Sequence, residues 1–200
     1  MRLPVWKPKS MPTQTISQES TIHAEETTRR DMFVRLIEQY EPALRRLTNG
    51  YAARQEDRDD LFQEIAVGLW QAIPKFRGDS SERTWLYRIA HNIAISTSIR
   101  LRNRGRKEEE MLDGVDYPSA AISSEQDILL AEKRALLARA IRSLHAIDRQ
   151  LVLLHLEGLN YAQIEEISGM SQSAIASRLS RLRDRLRDRL RTNERGSDER

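Results

Sequence analysis

The chain has 200 residues, 33 of them Lys or Arg and 30 Asp or Glu, a formal net charge of +3, and no cysteine. That length suits one ordinary domain or two small helical ones, each burying only about 60% of its unfolded surface. Disulfides, zinc knuckles and thiol catalysis are excluded, and with no signal-peptide core and no apolar run near the roughly 20 residues of a membrane span, a soluble cytoplasmic protein without membrane insertion is expected.

Residues 1–26 carry Pro4, Pro8 and Pro12 among scattered Ser and Thr. Without sustained periodicity they read as a flexible N-terminal extension, and Met11 and Met32 are alternative starting points. From Met32, the residues Phe33, Leu36, Ile37, Tyr40, Leu44 and Leu47 follow one helix face, with Pro42 a candidate bend. Leu61, Phe62, Ile65, Leu69, Trp70 and Ile73 repeat the pattern and stop before Pro74. Asp79 and Glu82 have capping-box spacing ahead of Trp85, Leu86, Ile89, Ala90, Ile93 and Ala94, which predicts a third helix from near Ser80. It ends in a basic cluster, Arg100, Arg102, Arg104, Arg106 and Lys107.

Residues 105–123, with Gly105, Glu108 to Glu110, Gly114 and Pro118, support no core and read as a flexible interdomain linker. Ser123 with Gln126 caps a helix through Ile128, Leu129, Leu136, Leu137, Ile141 and Leu144, and a shorter one runs from Ile147 to Glu157, closed by Gly158. Asn160 with Gln163 caps Tyr161 to Ser168, Gly169 turns the chain, and Ser171 caps a long helix with Ile175, Leu179, Leu182, Leu186 and Leu190 inward.

Two short helices joined by Gly169, Met170 and Ser171 have helix-turn-helix spacing, with Ile164, Ile167 and Ile175 locking the pair. Glu165 stands where close packing usually wants a small side chain, so the pair is either splayed or turns Glu165 to solvent. The start of the second helix would enter the major groove, where Gln172, Ser173, Ser177, Arg178 and Arg181 are the polar candidates. The arginine stripe from Arg178 to Arg191 attracts a polyanion, although Asp184 and Asp188 also suit pairing within the helix. In the first domain, Phe76 to Ser80 and Thr84 to Asn92 interleave aromatic, basic and amide groups that suit an unstacked base, while Trp85 and Tyr87 equally suit a core.

The motifs Asp60-Leu61-x-Gln63-Glu64, Phe76 to Asn92 (FRGDSSERTWLYRIAHN) and Ser171 to Arg183 (SQSAIASRLSRLR) occur in the order and spacing of one family, and residues 30 to 190 resemble the extracytoplasmic-function (ECF) sigma factors of the sigma-70 class. The resemblance implies an all-α fold of two small helical domains. Region 2 (27–104) would bind the polymerase clamp helices and the minus-10 element; region 4 (124–192) would bind the minus-35 element and the polymerase flap, before a disordered tail (193–200). By the same resemblance, Asp60, Leu61, Gln63 and Glu64 contact polymerase. Phe76, Arg77, Asp79, Ser80, Trp85, Arg88 and Asn92 bind the minus-10 element; on physical grounds the captured strand needs cationic surface, which Arg88, Arg100 and Arg102 could supply. Gln172, Ser173, Ala176, Ser177, Arg178 and Arg181 bind the minus-35 element.

Ser173-Ala174 replaces the family's common Gly-Thr, and Ala176 its basic residue, which shifts the expected affinity onto Arg178 and Arg181. After Asn92 the family's usual acidic residue is also absent, Ser96 or Thr97 standing in its place. The expected partners are core RNA polymerase and promoter DNA, with an anti-sigma factor compatible with the resemblance; no cofactor or metal is expected. The rival readings are a helix-turn-helix regulator that ignores polymerase and a sigma-like decoy that binds polymerase without promoter DNA. An enzyme is not expected, because His91, His145 and His155 lack a metal-ligand partner at i+4 or a nucleophile nearby in sequence.

Overall fold

The computed structural model describes residues 14–105 and 125–198, with side chains described for 26–101, 130–131 and 133–188. Every regular element among them is helical: α1 (Gln14–Tyr51), α2 (Gln55–Ala72), a single 3-10 turn (Ile73–Lys75), α3 (Glu82–Gly105), α4 (Glu125–Arg142), α5 (Ala146–Leu156), α6 (Tyr161–Ser168) and α7 (Gln172–Asp198). The all-α reading in two helical domains holds. The linker residues 106–123 and the Ser123 cap lie outside the described residues.

Two boundaries differ from expectation. Residues 14–26, read as a flexible extension, already belong to α1. Ser, Thr, Gln and Glu carry only modest helix penalties, and Glu26 stands four residues ahead of Arg30, the favourable order for such a pair. At the other end α7 continues to Asp198, so residues 193–198 extend a helix instead of forming a disordered tail. The α1 helix also passes through Pro42.

The apolar stripes read from the sequence form the core. In the first domain Leu36, Leu44, Leu61, Ile65, Leu69, Leu86, Ala90 and Ala94 are each at most 1% exposed. In the second, Leu151, Leu154, Ile164, Ile175, Leu179 and Leu182 are buried. Burying one such aliphatic side chain contributes about 1.5–3 kcal/mol. The two groups are continuous, because α3 packs against α1 and α2 on one side and α5 and α6 on the other. Gly50 allows α1 to approach α5 closely: a Cβ there would stand 2.8 Å from the Leu153 methyl carbons.

Four helix C-termini take an arginine from elsewhere in the chain, which satisfies carbonyls that a helix end leaves without partners. Arg29 donates to the Trp70 carbonyl at 2.6 and 3.1 Å near the end of α2, its guanidinium 4.0 Å from the centre of the Trp70 ring. Arg142 donates to the Asn49 carbonyl at 2.9 Å near the end of α1. Arg83 donates to the Glu157 carbonyl after α5, and Arg149 to the Arg142 and Leu144 carbonyls after α4. Neither α1 nor α2 has a basic residue in its own last turn.

Candidate nucleic-acid interface

The α6–α7 pair is a helix-turn-helix, with the expected α6 cap and glycine turn, while the Ser171 hydroxyl, expected to cap α7, meets the Ser173 hydroxyl at 3.3 Å. Asn160 and Gln163 form a reciprocal capping box, each side chain bonding the other's backbone amide at 2.9 and 3.0 Å. Gly169 ends α6 at φ 72°, a left-handed conformation that side-chain-bearing residues avoid. Ile164, Ile167 and Ile175 are buried between the helices. Glu165 does not splay them: it sits half-buried at the edge and accepts a 2.8 Å bond from Gln172 Nε2.

Along α7 the buried stripe Ile175, Leu179, Leu182 and Leu186 leaves Ser173, Ser177 and Arg181 exposed on the opposite face at four-residue spacing. Gln172 is exposed and Ala176 half-buried on one flank of that face. Arg178 lies on the other flank, half-buried, its Nε donating to Asp148 Oδ1 of α5. Asp148 belongs to an Asp148-Arg149-Gln150 triplet that is buried inside an otherwise apolar helix. Spacing in the sequence does not mark Asp148, whose partner lies 30 residues away.

In the first domain the loop before α3 turns at Gly78, φ 77°. Arg77 and Asp79 are exposed and Ser80 half-buried, while the Phe76 and Trp85 rings meet at 4.8 Å between centres. Trp85, Arg88 and Asn92 share one face of α3, with Asn92 fully on the surface. Tyr87 is core, 1% exposed. Ser81, not Asp79, caps α3: its Oγ accepts from the Thr84 amide at 3.1 Å, and Glu82 instead holds Arg35 through two bonds of 2.7 and 2.8 Å. Those bonds keep the Glu82 carboxyl below the usual carboxylate range.

An open groove between α2 and α3 brings together Asp60, Gln63 and Glu64 beside the exposed apolar Val67, with Gln71 and Ile93 at its margins. Glu64 is held by Thr97 Oγ1 at 2.6 Å and by Arg100 at 2.5 and 2.7 Å. Arg100 therefore sits beside this groove, and the Arg102 side chain lies outside the described residues. Leu61 departs from its expected role as a contact. Being 1% exposed, it packs in the core and cannot touch a partner with its side chain.

Between the domains, Glu157 at the end of α5 accepts two 2.7 Å bonds from Arg46 and one of 3.1 Å from the Tyr87 hydroxyl. Glu166 of α6 accepts from Arg88 at 2.7 Å. Deeper in, the Tyr51 hydroxyl bonds His91 Nδ1 at 3.0 Å. Burial lowers the His91 pKa to about 3, and it raises that of Tyr51 against the opposing charge of Arg149. Both His145, which precedes α5, and His155, against the Tyr161 ring, are exposed.

No helix among the described residues is long and apolar enough to cross a membrane. Family models describe residues 36–107 as sigma-70 region 2 and residues 134–186 as sigma-70 region 4. The chain is 30% identical over 156 residues to the ECF RNA polymerase sigma-E factor of Escherichia coli K12, covering 74% of this chain and 81% of that protein. The sigma-E factor of Haemophilus influenzae is 29% identical over 157 residues, covering 74% and 82%. In fold, it is similar to the sigma factor RpoE solved with the anti-sigma factor NepR from Bartonella quintana, at TM-score 0.60 and 24% identity over 80% of this chain and 96% of that one. CnrH solved with the cytosolic domain of CnrY is similar too, at TM-score 0.59 and 22% identity over 82% and 90%. Two sigma-70 regions in order, together with this identity over three quarters of the chain, make it a member of the ECF sigma factors of the sigma-70 family, which act in transcription initiation.

Proposed function

We propose that the two domains divide promoter recognition, the first opening and holding the minus-10 element and the second reading the minus-35 duplex, while the α2–α3 groove seats the polymerase clamp helices. The observation that carries this reading is the exposed face of α7, Ser173, Ser177 and Arg181, set opposite a buried stripe on a capped helix-turn-helix. A rigid helix with polar groups on its free face can present them to base edges without having to order its backbone. Gln172 and Ala176 flank that face, and Arg181 adds charge for phosphate or guanine.

On the first domain, Phe76, Arg77, Asp79, Ser80, Trp85, Arg88 and Asn92 receive the separated strand. Unstacking a base costs a few kcal/mol, which aromatic stacking and amide bonds on the captured base offset. Arg88 reaches DNA by exchanging Glu166 for a phosphate. Asp60, Gln63 and Glu64 contact polymerase around Val67, an apolar centre with a polar rim, and Leu61 supports them from beneath. The protein acts in the cytoplasm, as a specificity subunit and not as an enzyme, and it takes an anti-sigma factor as a partner, as does the sigma factor RpoE that it is similar to in fold.

The test is Asn92→Ala in the complex with core polymerase. We expect strand opening, read by permanganate reactivity of unpaired thymines, to slow about tenfold while closed-complex affinity changes less than twofold. Equal losses in both would remove Asn92 from the strand-binding face.

A further inference from the structure

We infer that Asp148 is a positioning residue for DNA readout, turning the Arg178 guanidinium so that its two Nη groups face the duplex. This rests on the reading of Arg178 as a minus-35 contact. The Arg178 side chain leaves the margin of the buried stripe of α7 and is 36% exposed, whereas Asp148 is 12% exposed in the first turn of α5. The carboxylate is therefore fixed by packing, and the arginine is the movable partner. Asp148 Oδ1 takes the Nε–H. That choice matters chemically, because a guanidinium held at Nε still presents the Nη1/Nη2 edge, which can donate two parallel bonds to the O6 and N7 of one guanine. An untethered arginine must lose rotamer freedom to do the same, and a phosphate would compete for it.

A second consequence is electrostatic. Asp148 cancels one positive charge close to the backbone of the bound DNA, so it opposes sequence-independent attraction while it favours a directed contact. Its removal should act with opposite signs on the two kinds of binding. A merely structural residue would not separate them.

The experiment binds the complex of the full chain and core polymerase to a pool of promoter duplexes randomised across the minus-35 element, and sequences the bound fraction. Binding to a duplex of unrelated sequence is measured alongside. Asp148→Asn keeps the size of the side chain and removes its charge. We expect it to flatten base preference about tenfold at one position, the same position that Arg178→Ala flattens, with the other positions retained and non-specific binding equal or tighter. The double variant should behave as Arg178→Ala alone.

Asp148→Asn without effect on that position, or with a loss spread evenly over all positions, overturns the proposal while leaving Arg178 as a contact. Additive losses in the double variant overturn it also, since Asp148 would then act through something else. If Arg178→Ala itself changes no base preference, the minus-35 role of Arg178 fails, and the proposal fails with it.

Discussion

Among single residues, His91 ties the fold most directly to pH. Wholly buried and bonded to Tyr51, it stays neutral in the folded protein down to about pH 3, whereas in the unfolded chain it takes a proton below about 6.5. The stabilising contribution is therefore fully present above pH 6.5 and is lost as pH falls through that window. Between pH 6.5 and 5, where most carboxylates are still ionised, chemical denaturation should show stability falling by about 1 kcal/mol per pH unit. In His91→Gln that slope should flatten even though the variant is less stable throughout; an unchanged slope would assign the dependence elsewhere. The arginines divide the surface in a way composition alone does not reveal. Arg178 and Arg88 each hold a carboxylate, while Arg181 extends from the exposed face of α7 and, among the described residues, reaches only the Ser177 carbonyl, at 3.4 Å.

At the scale of elements, the helix-turn-helix depends on one backbone conformation. Gly169→Ala should destabilise the second domain by about 1 kcal/mol, since only glycine adopts φ near +72° without a steric penalty. Gly169→Asn should cost less, and thermal melts of the two variants check the order. This hinge was legible in the sequence, as were the Asn160–Gln163 box, the stops at Pro74 and Gly158, and every apolar stripe that fell within the described side chains, because each rests on neighbours at most a few residues apart. The start of α3 was legible only in part. The spacing points to Asp79 and Glu82, whereas Ser81 caps the helix and Glu82 is bound to Arg35, 47 residues away. What spacing could not supply is the set of arginine bonds that finish α1, α2 and α5, whose donors lie 41 to 93 residues from their acceptors. Asp148 was missed for the same reason, its partner being 30 residues away. Leu61 stands in the apolar stripe of α2 and is buried there, so only the contact role taken from the resemblance departs from the structure. A family motif includes residues that shape a contact surface as well as residues that form it.

For the whole molecule, the contact between domains sets a condition on function. The minus-10 and minus-35 elements stand on the order of 85 Å apart along a duplex, whereas a domain of about 100 residues has a radius of gyration of only about 13 Å. On the proposed division of the promoter, domains joined through Glu157 and Glu166 would not span both elements, and binding would require them to part. Glu157→Gln weakens the bonds to Arg46 and Tyr87, and with Arg46 largely exposed the change should be worth at most about 1 kcal/mol. Small-angle scattering should then show a larger radius of gyration than in the parent protein; an identical radius would mean that apolar contacts such as Leu153 on Gly50 hold the domains by themselves. The central claim, that this chain directs polymerase to promoters through both domains, is tested most directly by reconstituted transcription. Core polymerase is given a library of promoter fragments with and without the purified protein, and the starts are mapped. Starts that appear only with the protein, and share sequence at both the minus-10 and minus-35 positions, are the predicted result; polymerase binding with no such starts, or duplex binding without polymerase binding, would contradict it.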